Sequence, residues 1–177
     1  MSVTLPTRIP GLVLRPAVAA DAELVLAFVR ELAEYERLSH AVTADAAALS
    51  DTLFGERPAA EVVIAEFEGA PAGFALFFTS YSTFLGRPGI YLEDLFVRPA
   101  LRGKGIGRAL LAHLAGIATA RGCGRLEWSV LDWNEPAIGF YRGLGAQPMD
   151  EWTVYRVEGA AIGRLAAEGA PPPGRHG

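Results

Sequence analysis

The sequence predicts a mixed α/β domain. Its apolar patterns follow the order β-α-α-β-β-β-α-β-α-β, which is typical of that class. Two of the strands form a hairpin, because the turn Glu68-Gly69-Ala70-Pro71 separates the apolar runs at residues 61–67 and 73–79. Further along, a strand, a helix and another strand follow one another, and this order implies one local parallel pair.

Length and composition limit the classes of protein to consider. A chain of 177 residues is long enough for one well-buried domain and short for two. The formal net charge of −4 argues against general nucleic-acid binding and would suit a cationic substrate. Cys123 is the single cysteine, so an internal disulfide framework is excluded, and the histidines are too widely spaced to predict a metal site.

Neither a signal peptide nor a membrane span is expected from the sequence patterns. The N-terminal segment MSVTLPTRIPG lacks the continuous apolar core of a signal peptide, and no window is apolar enough for a membrane span. We therefore expect a cytoplasmic protein that binds neither membrane nor nucleic acid. The domain is expected to cover residues 1–168, and the Pro/Gly-rich residues 169–177 are expected to form a loose tail.

The first third of the chain predicts one strand and two helices. Residues 12–16 form the strand, which Pro16 closes. Asp21 is a suitable N-cap for a helix that runs to about residue 38 and has apolar residues at helical spacing. Thr43 is the candidate cap of the second helix, which ends near residue 53.

The remaining elements follow the hairpin. Residues 81–89 are expected to be a loop, because they combine aromatic residues with glycine and proline. The elements expected after this loop are a strand at 91–97, a helix at 105–121, a strand at 126–131, a short helix after Asn134, a strand at 152–157 and a weak helix to about 167. Asn134 is a good N-cap, and Pro136 fits the first turn of the short helix.

A glycine turn at residues 103–107, reading GKGIG, is the strongest functional signal. It joins a strand to an apolar helix, and the first N–H groups of such a helix have no intrahelical acceptor. The positive end of the helix dipole lies at the same place, which makes the turn a suitable anion site. Arg102, Lys104 and Arg108 add positive charge around it. The pattern therefore predicts a phosphorylated cofactor.

Spacing excludes two common phosphate-binding motifs. A P-loop requires G-x-x-x-x-G-K-[ST], but Gly105 follows Lys104 and Arg98 stands where the first glycine is needed. A dinucleotide fingerprint requires G-x-G-x-x-G, and its last glycine would fall on Arg108. The pattern that remains is R-x-x-G-x-G, formed by Arg102, Gly105 and Gly107.

This pattern resembles the acyl-CoA signature of the GNAT acetyltransferase superfamily. Residues 91–97 (YLEDLFV) and 133–141 (WNEPAIGFY) are similar to its diamine (spermidine/spermine) acetyltransferase branch, and the similarity extends from residue 12 to about 167. The resemblance implies a mixed, mostly antiparallel sheet flanked by helices, with acetyl-CoA as co-substrate and no metal. It also implies a homodimer, with the partner at residues 152–157 and the helix after them.

The resemblance implies a set of cofactor-binding positions. Backbone amides of the glycine turn would hold the pyrophosphate, and Asn134 would hydrogen-bond the pantetheine arm. Backbone groups of the strand would line that arm and offer a donor to the oxyanion. The full set is Leu95, Phe96, Val97, Arg102, Gly103, Lys104, Gly105, Ile106, Gly107, Arg108, Asn134, Pro136 and Ala137.

Two catalytic residues follow from the same resemblance. Transfer of acetyl from a thioester to an amine needs a base for the ammonium proton and an acid for the departing thiolate, since a simple thiol has a pKa near 8.5. Tyr141 is the candidate acid, with a core aromatic residue as the alternative. Glu93 is the candidate base or the anchor of a water. Cys123 is interpreted as a packing residue.

The substrate-side candidates are Tyr35, Glu36, Glu93, Asp94 and Glu151. Adjacent strand residues point to opposite faces, so Glu93 and Asp94 are expected to face different sides, with Asp94 structural or at the edge. For Tyr35 and Glu36, a solvated helix face is the alternative to a cation pocket.

The resulting hypothesis is an N-acetyltransferase for a primary amine of a small cationic, polyamine-like substrate. The first alternative substrate is an amino-acid side-chain amine, such as that of lysine or thialysine, with Arg87 or Arg142 binding the α-carboxylate. A protein-modifying acetyltransferase and a non-catalytic acyl-CoA sensor are two more hypotheses that the sequence leaves open.

Overall fold

The computed structural model describes residues 5–169. The expected tail lies outside this range except for Gly169. The chain forms two compact units, one ending at Ser129 and the other beginning at Val130. Each unit is described by itself below.

The first unit contains a six-stranded sheet in the order β1-β2-β3-β4-β5-β6. The strands are β1 (Leu5–Pro6), β2 (Leu12–Pro16), β3 (Glu61–Phe67), β4 (Ala70–Ser82), β5 (Arg87–Val97) and β6 (Leu126–Trp128). Every neighbouring pair is antiparallel except β5 and β6, which are parallel. The predicted mixed sheet with one parallel pair is confirmed.

Three helices flank this sheet: α1 (Ala22–Tyr35), α2 (Ala46–Phe54) and α3 (Ile106–Ala120). The inner face of α1 packs on the sheet through Phe28, whose ring stacks on Phe74 with centroids 5.3 Å apart. The buried cluster around this pair consists of Val25, Phe28, Leu53, Val62, Ile64, Phe74 and Phe96. Helix α3 buries its predicted apolar face, which includes Ile106, Leu110 and Leu114.

One of the two predicted caps in the first third of the chain is wrong, and the other is confirmed in position only. Asp45 caps α2, because its carboxylate accepts a hydrogen bond from the Ala48 amide at 2.8 Å, so Thr43 lies outside the helix. Asp21 is the N-cap residue of α1, as predicted, but its carboxylate makes no capping hydrogen bond to that helix. It binds the Arg15 guanidinium at 2.7 and 2.9 Å, and this partner lowers the pKa of the carboxyl.

The β4–β5 hairpin is longer than the sequence predicts. The sequence predicts a loop at residues 81–89, yet Tyr81 pairs with Pro88 and Ser82 pairs with Arg87. Proline is tolerated in a ladder where its missing N–H is not needed. The loop is therefore confined to residues 83–86, and the predicted boundaries are wrong there.

The second unit contains α4 (Glu135–Arg142) and α5 (Ala160–Glu168). The expected strand at residues 152–157 is wrong, since the described chain has no strand there. The segment is rich in β-prone residues, but a strand also needs a partner ladder. Trp152 and Tyr155 are 71% and 92% exposed, so these side chains have no core to cover them. None of the described helices is long and apolar enough to cross a membrane.

Candidate active site

The glycine turn has the backbone geometry that its sequence predicts. Gly103 and Gly105 have φ of 79° and 83°, in the left-handed region that favours glycine. Gly105 is the N-cap of α3, and the first helical hydrogen bond runs from the Ala109 amide to its carbonyl at 2.9 Å. The amides of residues 106–108 precede that bond, so they have no acceptor within the helix. The turn can therefore present backbone N–H groups to an anion.

The cationic side chains near this turn differ in their contacts. Arg108, in the first turn of α3, is exposed. The Lys104 ammonium lies 5.3 Å from the centroid of the Phe67 ring. The Arg102 guanidinium lies 4.2 Å from the centroid of the Tyr35 ring, and its Nε donates to the Val97 carbonyl at 3.0 Å. Arg102 is thus directed to the end of α1.

A β-bulge in β5 changes the direction of the acidic side chains. Phe77 pairs with Leu92 and Leu76 pairs with Asp94, which leaves Glu93 as the extra residue. Residues directly opposite in an antiparallel pair share a face, and neighbouring residues of β4 face opposite sides. Asp94 therefore lies on the face of Leu76, whereas Leu92 lies on the other.

This face is the one that α1 covers, because Leu76 packs against the cluster that contains Phe28. Simple alternation would have placed Asp94 on the same face as Leu92. The bulge at Glu93 therefore places Asp94 on the face opposite to that of Leu92. Asp94 thus lies on the face that α1 covers, and its negative charge interacts with that of Glu36, the residue that follows α1.

Three carboxyl groups form what we call the carboxylate cluster: Glu36, Glu93 and Asp94. Burial raises the pKa of Asp94 to about 6, and the negative charges of Glu93 and Glu36 add to the increase. Burial also raises the pKa of Glu36. Glu93 is exposed. The cluster brings together carboxylates from α1 and β5 at one place, where a cation would relieve their mutual repulsion.

The end of α1 is shaped by a left-handed residue. The amides of Arg37 and Leu38 donate to the carbonyls of Glu34 and Ala33 at 3.1 and 2.7 Å, which is a Schellman motif. Arg37 holds the left-handed position, with φ of 63°. The motif terminates α1 after Tyr35, and Glu36 is the C-cap residue.

Beyond the bulge, β5 separates from β6. Their parallel pairing covers only Ile90–Leu92 of β5, and β6 ends at Trp128. Residues 95–97 remain paired with β4 on one edge, so their other edge has no ladder partner in β6. This is the part of the strand that is predicted to line the pantetheine arm with backbone groups.

The second unit holds the other predicted site residues. Asn134 is buried, and its side-chain oxygen accepts from the Ala137 amide at 3.3 Å, which confirms its role as the cap of α4. Pro136 lies in the first turn of that helix, as expected. The Tyr141 and Phe140 rings are 5.3 Å apart at a 50° tilt. Glu151 is exposed.

Some of this arrangement has a signal in the sequence and some does not. The positive φ angles follow from two glycines between a strand and a helix. The bulge depends on the register of two strands, which local patterns do not contain. The interaction of Arg98 with Glu31, at 2.8 and 3.0 Å, joins residues far apart in the chain and has no local signal either. In the described range, no group of acidic, histidine or cysteine residues could hold a metal ion.

Comparison with known proteins gives a consistent result. The thialysine N-epsilon-acetyltransferase of Bos taurus is 41% identical over 166 residues, which is 88% of this chain and 97% of the relative. The human spermidine/spermine N(1)-acetyltransferase-like protein 1 is 31% identical and covers 81% of this chain, but the match spans only 22% of that protein.

Solved structures and family models agree with these relatives. The integron cassette protein VCH_CASS6 from the mobile metagenome of V. cholerae is 30% identical, with a TM-score of 0.74 over 88% of this chain and 98% of that one. The model described as "Acetyltransferase (GNAT) family" matches residues 26–146. The chain belongs to the GNAT family and is an acetyltransferase.

Proposed function

We propose that this protein transfers the acetyl group of acetyl-CoA directly to a primary amine of a small cationic molecule. The observation that carries the proposal is the carboxylate cluster, two members of which, Glu93 and Asp94, lie on the strand that leads into the glycine turn. A site for a cation and a site for an anion thus share one connection, as an amine acceptor and a phosphorylated donor require.

The proposed position of acetyl-CoA follows from the glycine turn. Its phosphates are held by the first amides of α3 and by exposed cations such as Arg108 and Lys104. The pantetheine arm runs along the open edge of residues 95–97 and pairs with backbone groups there. The oxyanion of the tetrahedral intermediate accepts a hydrogen bond from the same strand.

The proposed roles of the side chains follow from the chemistry of the two proton transfers. The ammonium must lose a proton before it can attack, and Glu93 accepts that proton through a water. Asp94 and Glu36 hold the substrate's positive charge. Tyr141 protonates the thiolate of CoA as the carbon–sulfur bond breaks, so no covalent enzyme intermediate is formed.

Two substrate classes fit a carboxylate cluster. The bovine relative, which matches over nearly its whole length, supports an amino-acid side-chain amine, and the human relative supports a polyamine. An amino acid would need a partner for its α-carboxylate. Arg87 is six residues before Glu93 on the same strand. Arg87 and Arg142 are both candidates for this partner.

An amine panel tests the proposed function. Release of free CoA from acetyl-CoA should depend on a primary amine, with thialysine and lysine compared against putrescine and spermidine. No amine-dependent release while acetyl-CoA still binds would favour a non-catalytic sensor. Activity with a protein's lysine side chains alone would favour a protein-modifying enzyme.

Tyr141→Phe tests the proposed acid within the same assay. The variant should lower turnover by about 100-fold, since positioned acids typically contribute that much, at unchanged acetyl-CoA affinity. Phe140→Leu is the matched control, because it changes the neighbouring ring of α4 without removing a hydroxyl. Full turnover by Tyr141→Phe would refute the role.

We also propose a cytoplasmic homodimer. The exposed apolar side chains of residues 152–157 support a partner at this segment, since a β-prone segment without a ladder offers a template for pairing with a strand of another chain. Light scattering should give twice the monomer mass, and Tyr155→Glu should reduce it. A monomeric mass for the unmodified protein would refute the dimer.

A further inference from the structure

Next to the carboxylate cluster, the same face of the sheet carries a pair of aromatic rings. Phe78 of β4 pairs with Tyr91 of β5, and their rings stack with centroids 5.2 Å apart. Phe78 stands two residues after Leu76, so it shares the face of Leu76 and therefore that of Asp94. Both rings are half-buried. The aromatic pair is thus the next row after Asp94 on this face.

Strand β6 adds one carboxylate to the same face. Tyr91 lies opposite Glu127 in the parallel β5–β6 pair, and its hydroxyl is 2.7 Å from that of Ser129, two residues after Glu127. Strand residues two apart point the same way, so Glu127 and Ser129 share the face of Tyr91. A rise of about 3.3 Å per residue and a strand spacing of about 4.8 Å put the Cα atoms of Asp94 and Glu127 about 8 Å apart.

Glu127 is paired with an arginine of its own strand. The Nε of Arg125 lies 2.7 Å from the Glu127 carboxylate, and the two side chains are 40% and 36% exposed. Exposed ion pairs contribute little to stability, because water solvates both charges and salt screens them. A cation from solution can therefore compete with Arg125 for this carboxylate.

A buried hydroxyl beside Arg125 favours the release of that side chain. A Cβ at Gly89 would lie 2.7 Å from the Ser80 hydroxyl and 3.2 Å from Cγ of Arg125, so both groups border the same space. The hydroxyl is buried and has no hydrogen-bond partner in the described part of the chain, which is unfavourable. Movement of Arg125 would open this space to water, which can supply the partner.

We propose that the aromatic pair and Glu127 form a second subsite of the amine site, which takes a further ammonium group of a polyamine. The inference rests on the proposed function. One ammonium stays at the carboxylate cluster, the methylene spacer crosses the two rings, and the next ammonium displaces Arg125 from Glu127. Aromatic faces favour methylene groups and cations alike. The separation of Asp94 and Glu127 suits ammonium groups joined by a propyl or butyl spacer.

Calorimetry with spermidine tests the second subsite without any need for turnover. In protein saturated with CoA, Glu127→Gln should weaken spermidine binding about fivefold, the upper end for a partly exposed ion pair. Arg125→Gln should strengthen it about threefold, because it removes the competing cation. An unchanged affinity in Glu127→Gln, or equal weakening by both variants, would overturn the inference.

A second ion pair of the same kind provides matched controls. Arg121 binds Glu61 at 2.6 and 2.7 Å, and the two side chains are 38% and 47% exposed. Glu61 pairs with Phe77 and so lies on the opposite face of the sheet. Glu61→Gln and Arg121→Gln should change spermidine binding less than about twofold at physiological ionic strength, which screens charges without a direct contact. Shifts as large as those of Glu127→Gln and Arg125→Gln would indicate a general effect of net charge and refute the subsite.

Steady-state kinetics with two amines tests which ammonium the subsite holds. Glu127→Gln should raise KM for spermidine about fivefold and leave KM for putrescine unchanged, because putrescine has only one ammonium besides the reacting amine. Tyr91→Leu should raise KM for spermidine about threefold, as for one lost cation–π contact, whereas Tyr91→Phe keeps the ring and should match the wild type. Equal effects of Glu127→Gln on both amines would contradict a separate second subsite.

The two proposals can fail separately. If the amine panel finds no acetylation, spermidine binding that depends on Glu127 would still support the subsite. If spermidine is acetylated and Glu127→Gln has no effect on its KM, the proposed function stands and the subsite is refuted.

Discussion

The glycine turn follows the two β5 members of the carboxylate cluster along the chain, yet the turn and the cluster are proposed to bind opposite charges by different means. The turn uses backbone amides, which two glycines with φ near 80° direct outward. The cluster uses side chains from separate elements, brought together by a bulge and by the abrupt end of α1. Substitution of one side chain of the cluster should therefore impair binding of the amine. Binding of the cofactor by the turn should depend chiefly on the backbone angles of its glycines.

The largest effect is expected in the cluster. Asp94→Asn removes the most buried of its negative charges and should raise KM for the amine about 30-fold, in line with the loss of a charged hydrogen bond. KM for acetyl-CoA should stay the same. Glu34→Gln is the matched control, because Glu34 is an exposed carboxylate two residues before Glu36. Similar kinetics of the two variants would remove Asp94 from the amine site.

A smaller effect is expected in the glycine turn. Gly105→Ala forces a side chain into the left-handed region, and its Cβ would lie 3.1 Å from the Cδ1 of Ile9. We expect acetyl-CoA affinity to fall about tenfold, as for one lost charged contact, with KM for the amine unaffected. Gly116→Ala makes the same change in the interior of α3, where nothing lies within 4 Å. That control should raise helix stability by about 0.5–1 kcal/mol.

The pH dependence of stability tests the cluster without any substrate. The folded state raises the pKa of Asp94 from 3.8 to about 6, so it holds the proton more tightly than the unfolded chain does. The protonated Asp94 carboxyl therefore contributes fully to the stability of the folded state below pH 4, and this contribution is lost as the pH rises to 6. The free energy of unfolding of Asp94→Asn should therefore rise by about 1 kcal/mol relative to that of the wild type between pH 4 and pH 6. This figure includes a discount for the partial exposure of the group. A constant difference in urea-unfolding free energy from pH 4 to 7 would contradict the burial of this carboxyl.

The smallest expected effect is on stability, and it concerns the residues with left-handed backbone angles that occur in both regions. The turn has glycine at such positions, but the end of α1 has Arg37, with φ of 63°. Arg37→Gly should raise the free energy of unfolding by about 0.5–1 kcal/mol, because glycine adopts this angle without the cost of a Cβ. Arg30→Gly, in the interior of the same helix, should lower it. Thermal unfolding of both variants checks the opposite signs.

The same comparison explains how much of the site could be predicted. The R-x-x-G-x-G spacing predicts the turn because its conformation depends on residues next to one another. The face of Asp94 could not be predicted, since it depends on the pairing of Leu76 with Asp94 across two strands. The direction of Arg102 could not be predicted for a related reason: its partner, Tyr35, comes from the first helix.

The fold, like the site, could be predicted where it depends on residues close together in the chain and could not where it depends on residues far apart. Hairpin, helices and the parallel pair follow from hydrophobic periodicity and turns, and they are confirmed. The segment 152–157 has the composition of a strand, but no described strand pairs with it. Composition predicts what a segment favours, and only the tertiary structure decides whether a partner is present.

A bisubstrate inhibitor, in which the CoA sulfur is joined through a –CH2–C(=O)– group to one amine of spermidine, tests most directly whether the two regions form one acetyl-transfer site. The remaining ammonium groups of spermidine keep the positive charge that the cluster is proposed to hold. Calorimetry should show that the inhibitor binds the unmodified protein about 100-fold more tightly than CoA, as transition-state analogues do. Gly105→Ala should weaken binding of both CoA and the inhibitor, while Asp94→Asn should weaken only the inhibitor. An inhibitor that binds no more tightly than CoA, with Asp94→Asn without effect, would contradict the proposal that the carboxylate cluster receives the amine.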